Sequence, residues 1–260
     1  MRKVALQGIL YDGKSSYMQG PAKAPPLIRK AFISESANRF AESAAEITSD
    51  LIEDKGDFNI SEYFDIEDVT LANLNKNIPL ITLGGDHSIT YPILRAINSI
   101  YGTVEILHID AHGDLYEVFE NDKYSHACPF ARIMEDGLAS ELYQLGIRTL
   151  NTHQREQVQK FGVQIVEMKD YRIEKIPEFK RPIYLSLDID ALDPAFAPGV
   201  SHHEPGGFTT RDVLDIIHRI NVPILGADIV EYNPDRDIND MTAMVCAKFL
   251  KEIAAKCLMG

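Results

Sequence analysis

The sequence predicts one α/β domain, a three-layer α/β/α arrangement around a mostly parallel sheet. Three observations lead there. Short β-rich apolar runs alternate with helix-period segments, the pattern of βαβ units. The 260 residues are 45% hydrophobic, enough to bury one large core. No repeat, low-complexity stretch or Ser/Gly linker marks a boundary, so a single domain over residues 1–260 is expected.

The elements follow in order. Residues 4–10 (VALQGIL) form the first strand. A Gly/Pro loop, QGPAKAPP, comes next, and Pro26 can open a helix over LIRKAFI. Residues 78–83 (IPLITL) form a strand ending in Gly84-Gly85. The segment SITYPILRAINSI has helical spacing despite Pro92, with Ser88 as a candidate cap. Residues 104–109 (VEILHI) form the next strand, and residues 127–135 read as a helix. Short strands at 142–147 and 163–166 flank the helical NTHQREQVQKF. Residues 183–187 are β-rich; the loop SHHEPGG follows, and Thr209-Thr210 cap the helix RDVLDIIHRI. A last strand at 222–229 precedes an amphipathic helix at 240–257. Right-handed crossovers put helices on both faces of such a sheet, and ligands bind at the carboxyl ends of its strands.

Composition narrows the function. A net charge of −13, from 26 basic and 39 acidic residues, argues against nucleic acid and anionic membrane as partners. Cys128, Cys246 and Cys257 form no CxxC pair, which indicates a reducing, cytoplasmic setting and buried packing thiols. No apolar run reaches the length of about 18 residues that a membrane span needs. The start, MRKVALQGILYDG, has too short an apolar stretch for a signal peptide and reads better as a strand.

The polar residues gather at four strand ends. IPLITL ends in GGDHS, VEILHI in DAHGD, PIYLSL in DIDALDP and VPILGADIV in Glu231. In a parallel sheet these ends share one edge. His87, Asp110, His112, Asp114, Asp188, Asp190 and Glu231 then come within reach of one another. Two carboxylates about 4 Å apart repel by roughly 4 kcal/mol at an effective dielectric of 20. Four such groups need protons or cations, and two divalent ions balance four aspartates. Nitrogen and oxygen donors without thiolate favour Mn²⁺ or a similar ion. Two ions can share a water and turn it into a hydroxide nucleophile near neutral pH. A lone DxD or HxD is more often a cap or turn; the signal lies in three such segments at successive strand ends.

The segments GGDHS, DAHGDLY and SLDIDALDPAFAPG, in that order, resemble the signatures of the ureohydrolase family of arginases and agmatinases. The resemblance runs from the QGPAKAPP loop to the closing MTAMVCAKFLKEIAAK. YSHACPFARIMEDG and APGVSHHEPGGFTTRDVL are especially similar to plant-type arginases. The resemblance implies a single ureohydrolase domain with two Mn²⁺ ions and a bridging hydroxide. His87, Asp110, Asp114 and Asp188 would hold one ion; His112, Asp110, Asp188 and Asp190 the other. His126 matches a mobile proton-carrying histidine, and Glu231 the carboxylate that grips a guanidinium. With Asp114 these form the implied catalytic set. The implied reaction is hydrolysis of a small guanidino compound to urea and an amine. L-Arginine is favoured, with agmatine, guanidinobutyrate and formiminoglutamate as alternatives. The resemblance also implies a homo-oligomer, a trimer or hexamer.

Other residues have plainer readings. His108 shares the ligand face but matches no ligand, so a buried supporting role is expected. Asp86 is expected to support its loop, Asp193 a turn, and Ser186 the structure around the site. His153 and His218 fall on predicted helices and read as surface or core residues. Asn121 and Ser125 are candidates to read the substrate's tail. His202, His203 and Glu204 could line the mouth of the pocket. Gly113 stands where the family often has Thr, removing a hydroxyl beside the site. That departure motivates a contrasting reading: a metal-binding, non-catalytic sensor of a guanidino metabolite.

Overall fold

The β-rich runs of the sequence pair as parallel strands of one sheet. The computed structural model describes residues 2–259. Among them, β1 (Val4–Leu10), β2 (Ile52–Asn59), β3 (Leu80–Leu83), β4 (Val104–Ile109), β5 (Ala139–Ile147), β6 (Gln164–Glu167), β7 (Ile183–Asp188) and β8 (Ile224–Val230) line up in the order β2-β1-β3-β8-β7-β4-β5-β6. Every pairing is parallel. The helices are α1 (Ala24–Phe32), α2 (Asp65–Asn73), α3 (Thr90–Tyr101), α4 (Pro129–Glu135), α5 (Thr152–Phe161), α6 (Thr210–Arg219) and α7 (Met241–Met259).

Period-two alternation sorts the side chains into two cores. Along β4, Leu107 and Ile109 join one cluster with Ile28 of α1, Val213 and Ile217 of α6, and Phe249 and Ile253 of α7. Val104 and Ile106 join the other with Ile66 of α2, Ile93 and Ile97 of α3, and Phe130 and Ile133 of α4. A sheet covered on both faces makes central strands near-continuous apolar runs, as β3, β4 and β7 are. The three-layer α/β/α expectation holds.

Several boundaries moved for local reasons. Helix α1 starts at Ala24, two residues before Pro26, because a 3-10 turn over Pro21–Lys23 leads into it. Both Pro25 and Pro26 then fall in the first turn, where no amide donor is needed. The cap before α3 is Asp86, not Ser88: the Asp86 carboxylate accepts the Ser88 amide at 3.1 Å over the 3-10 turn His87–Ile89. Pro92 also sits in the first turn of α3 and leaves the helix unbroken. Thr209 does cap α6, in a reciprocal pair with Asp212. Strand β2 and helix α2 had no counterpart in the sequence reading. The strand IEDKGDFN is a half-exposed edge, so it lacks the apolar run by which the central strands were found.

Candidate functional site

Strands β3, β8, β7 and β4 are neighbours in the sheet. Their carboxyl ends therefore deliver His87, Glu231, Asp188 and Asp110 to one edge, where the run of strand order is broken. The turn after β3 passes against the loop after β1 so closely that a Cβ on Gly85 would lie 1.6 Å from the Tyr11 carbonyl oxygen. Glycine is required there by contact. Asp114 and Glu231 hold φ values of 47° and 62°, a left-handed conformation that is unfavourable for residues with a Cβ. Backbone bonds hold both in place: Phe130 donates to the Asp114 carbonyl at 3.2 Å, and Glu231 donates to the Gly85 carbonyl at 2.9 Å.

His87 is fully buried. Its Nε2 is 2.9 Å from Ser186 Oγ, whose hydroxyl donates to Asp228 Oδ1 at 2.7 Å. Asp228 also accepts from Thr90 at 2.8 Å and Tyr184 at 2.7 Å. Since Ser186 gives its proton to Asp228, it takes one from His87 Nε2. The proton of the neutral ring is then on Nε2 and its Nδ1 carries a lone pair; against the cost of burial, Asp110, Asp114 and Asp188 raise the His87 pKa well above its ordinary value, so that without a metal a proton takes that lone pair. That Nδ1 has no hydrogen-bond partner. Around it lie Asp110 Oδ2 at 3.2 Å, Asp114 Oδ2 at 3.1 Å and Asp188 Oδ2 at 3.1 Å. A lone pair facing three carboxylate oxygens at such distances repels unless a cation joins them.

A second imidazole repeats the pattern. His112 Nδ1 lies 3.4 Å from Asp110 Oδ1 and 3.0 Å from Asp190 Oδ2. Asp110 thus turns one oxygen to each imidazole, and its Oδ1 is steadied by the His112 amide at 2.6 Å. Asp188 Oδ1 accepts the Asp190 amide at 2.7 Å. Burial, with repulsion from Asp190 and Asp110, pushes Asp188 well above the usual carboxylate range. Burial raises Asp190 too, against the pull of His112. The surroundings thus oppose ionisation of Asp188 and Asp190, an opposition that a bound cation would relieve. Imidazole nitrogens and carboxylate oxygens without thiolate form a donor set able to hold a divalent ion.

His108 lies close enough to look like a further ligand, but both its nitrogens are taken. Nε2 is 2.7 Å from Asp110 Oδ2, and Nδ1 is 2.9 Å from the Gln144 amide nitrogen. Burial lowers its pKa, and its ring stacks on Phe130 with centroids 3.9 Å apart. It steadies Asp110. Asp86 supports its loop as expected, accepting from Ser88, Lys14 and Ser15. Asp193 accepts the Ala195 and Gly206 amides in a turn.

Beside the cluster opens a cleft of about 210 Å³ lined by His112, Asp114, His126, Asp188, Asp190, Glu231 and His202, among others. Glu231 Oε1 sits 2.9 Å from His126 Nδ1 and also accepts the His87 amide at 2.9 Å. Against the cost of burial, Glu231 raises His126 to about 9. Of the candidates for the substrate's tail, His202 lines the cleft and the other four do not. Asn121 is exposed at the tip of a turn closed by Phe119 and Asp122. Ser125 is buried, its hydroxyl accepting the Ala127 amide at 3.4 Å. His203 is exposed and bonds the Pro198 carbonyl. The Glu204 carbonyl accepts from Arg148 at 2.9 and 2.6 Å.

Sequence reasoning missed Ser16, Gln144, Arg148, Gln154 and Asp228. Ser16, Gln144, Arg148 and Asp228 each work through a contact far along the chain, and Gln154 lines the cleft. Only Asp228 carried a signal, as a carboxylate inside an apolar strand.

A model described as the arginase family matches residues 2–255. The mitochondrial arginase 1 of Arabidopsis thaliana is 45% identical over 274 residues, covering 97% of this chain and 80% of that one. The agmatinase of Bacillus cereus is 31% identical, covering 96% of this chain and 90% of its own. Among solved structures, the arginase of Medicago truncatula superposes with a TM-score of 0.91 at 40% identity, over 98% of this chain and 87% of that one.

Proposed function

The chain belongs to the arginase family, and from that premise we propose that it hydrolyses L-arginine to urea and ornithine at the His/Asp cluster. The observation that carries the reading is Asp110, with one oxygen turned to His87 and the other to His112. We infer two Mn²⁺ ions, one held by His87, Asp110, Asp114 and Asp188, the other by His112, Asp110, Asp188 and Asp190. When bound, such a pair supplies Lewis acidity and a bridging hydroxide near neutral pH.

The residues of the chain do the rest. Glu231 is a buried carboxylate at the cleft, suited to a two-pronged bond with a guanidinium. Without substrate its Oε1 is taken by His126. A guanidinium on Glu231 displaces that imidazole and frees it as a proton donor. Water's oxygen ends on the guanidinium carbon, the C–N bond breaks, and His126 protonates the departing amine. Gln154 and His202 line the cleft and each has a buried atom without a partner, Oε1 and Nε2. They are suited to a polar substrate tail.

Agmatine is the second reading, supported because, among the described residues, no Lys or Arg lines the cleft to receive a carboxylate. We further propose a homo-oligomer, a trimer or hexamer. Three buried free cysteines support a reducing, cytoplasmic setting; among the described residues, no helix is long and apolar enough to cross a membrane.

The test is product release in Mn²⁺, urea from arginine, agmatine and guanidinobutyrate and formamide from formiminoglutamate, compared as kcat/KM. Arginine is expected to lead. No hydrolysis of any of them would overturn the reading and favour a guanidino sensor. Asp190→Asn is expected to abolish turnover.

A further inference from the structure

His126 uses both of its ring nitrogens. Nδ1 meets Glu231; Nε2 meets one residue, Ser16, by two groups. The Ser16 amide lies 3.2 Å from Nε2 and the Ser16 hydroxyl 2.8 Å from it. Ser16 belongs to the loop after β1 and lines the cleft. We propose that the Ser16 hydroxyl is a positioning residue for His126, holding the ring in both of its charge states so that it can carry the proton of the reaction. This rests on the reading of His126 as that carrier.

The chemistry distinguishes the two Ser16 groups. A neutral ring protonated on Nδ1 has a lone pair on Nε2, which the amide can fill. A charged ring has N–H on Nε2 and needs an acceptor. An amide nitrogen cannot accept; a hydroxyl can. Ser16 Oγ is therefore the group that serves the imidazolium.

The loop is placed firmly enough for this. The Lys14 amide donates to Asp86 Oδ2 at 2.9 Å, and the Ser15 hydroxyl donates to the same oxygen at 3.3 Å. Lys14 Nζ pairs with Asp122 at 2.6 Å, and the His126 amide donates to the Lys14 carbonyl at 3.2 Å. Asp12 accepts the Gly20 and Ala22 amides at 2.7 and 3.2 Å, closing the far side of the loop. Ser16 lies between these anchors. The other groups facing the ring are Glu231 at the end of β8, Asp86 after β3, Asp114 after β4 and the His202 ring, 5.5 Å away by centroids.

Ser16→Ala removes the hydroxyl and leaves the amide. Its kcat for urea release is expected to fall about tenfold, the value of one hydrogen bond made in the reacting state, with KM within about twofold. The upper limb of the pH profile, where the proton-donating ring loses its proton, and the NMR titration of the His126 ring are expected to move to lower pH. Ser16→Thr is expected to restore both. Added to His126→Asn, Ser16→Ala is expected to cost nothing more. Wild-type kcat and an unmoved ring titration in Ser16→Ala, with His126→Asn inactive, would overturn the Ser16 proposal alone. Losses that multiply in the double variant would overturn it too. Full turnover in His126→Asn would instead overturn the reading of His126. The ring titration is read on protein whose melting transition is cooperative, so a folding defect is seen separately.

Discussion

Ser186→Ala should lower metal affinity without removing a metal ligand. In the native protein His87 Nε2–H is received by Ser186 Oγ at 2.9 Å, and Asp228 fixes the direction of that bond. The bond keeps the Nδ1 lone pair turned to Asp110, Asp114 and Asp188. Alanine leaves a fully buried N–H without an acceptor, a loss of about 2 kcal/mol. The metal-free protein should then melt roughly 6 °C lower, at about 3 °C per kcal/mol for a chain of this size. The second effect is on the ion. Loss of a partner that orients a ligating histidine weakens binding by about 10- to 100-fold. Calorimetric titration of metal-free protein with Mn²⁺ would measure it directly. Asp228→Asn should act in the same direction, because an amide nitrogen facing Ser186 reverses the chain of donors. A Ser186→Ala protein that melts lower but binds Mn²⁺ as tightly as wild type would refute the tautomer argument.

Other perturbations test other parts of the site. The His126 value of about 9 exceeds its ordinary 6.5, so its pairing with Glu231 stabilises the metal-free fold fully below pH 6.5 and is lost as pH rises through 9. The melting gap between wild type and His126→Asn should therefore be widest near pH 6 and close at high pH; a constant gap would contradict this. Gly113→Ser places its Cβ 3.8 Å from Gln144 Oε1, a buried acceptor without a partner, and 3.1 Å from the half-buried Leu150. The new hydroxyl should add about 1 kcal/mol and raise the melting point by roughly 3 °C; a lower melting point would mean that Leu150 cannot yield. Arg148 donates to the carbonyls of Gly146, Asp190, Ala191, Leu192 and Glu204. Arg148→Met should cost about 2–3 kcal/mol by leaving buried carbonyls unmet, and limited proteolysis should cut the 201–207 loop faster.

The legible part of this molecule was the part whose chemistry is local in sequence. His87, Asp110, His112, Asp114, Asp188 and Asp190 each stand within a few residues of an apolar strand's end. Once those strands were read as parallel, their gathering followed from the topology. The residues Asn121, Ser125, His203 and Glu204 stand outside the lining of the cleft, for the opposite reason. They lie on loops, where nothing in a residue's type says whether it turns into the cleft or away. Strand β2 escaped because an edge strand with one open side has no apolar run to betray it.

The groups that orient the proposed ligands and the proposed proton carrier lie further out, and their partners are distant along the chain. Ser186 is 99 residues from His87. Ser16 is 110 residues from His126. In both cases the partner is a serine, a residue type too common to draw attention. Yet each serine sets what a ring can do: Ser186 leaves His87 Nδ1 to the carboxylates, and Ser16 meets His126 at the nitrogen that Glu231 does not use. An imidazole with the right neighbours but the wrong tautomer offers an N–H where a lone pair is needed. Substituting these serines should therefore separate two properties that the sequence presents as one: holding the ions, which should fail with Ser186, and delivering the proton, which should fail with Ser16.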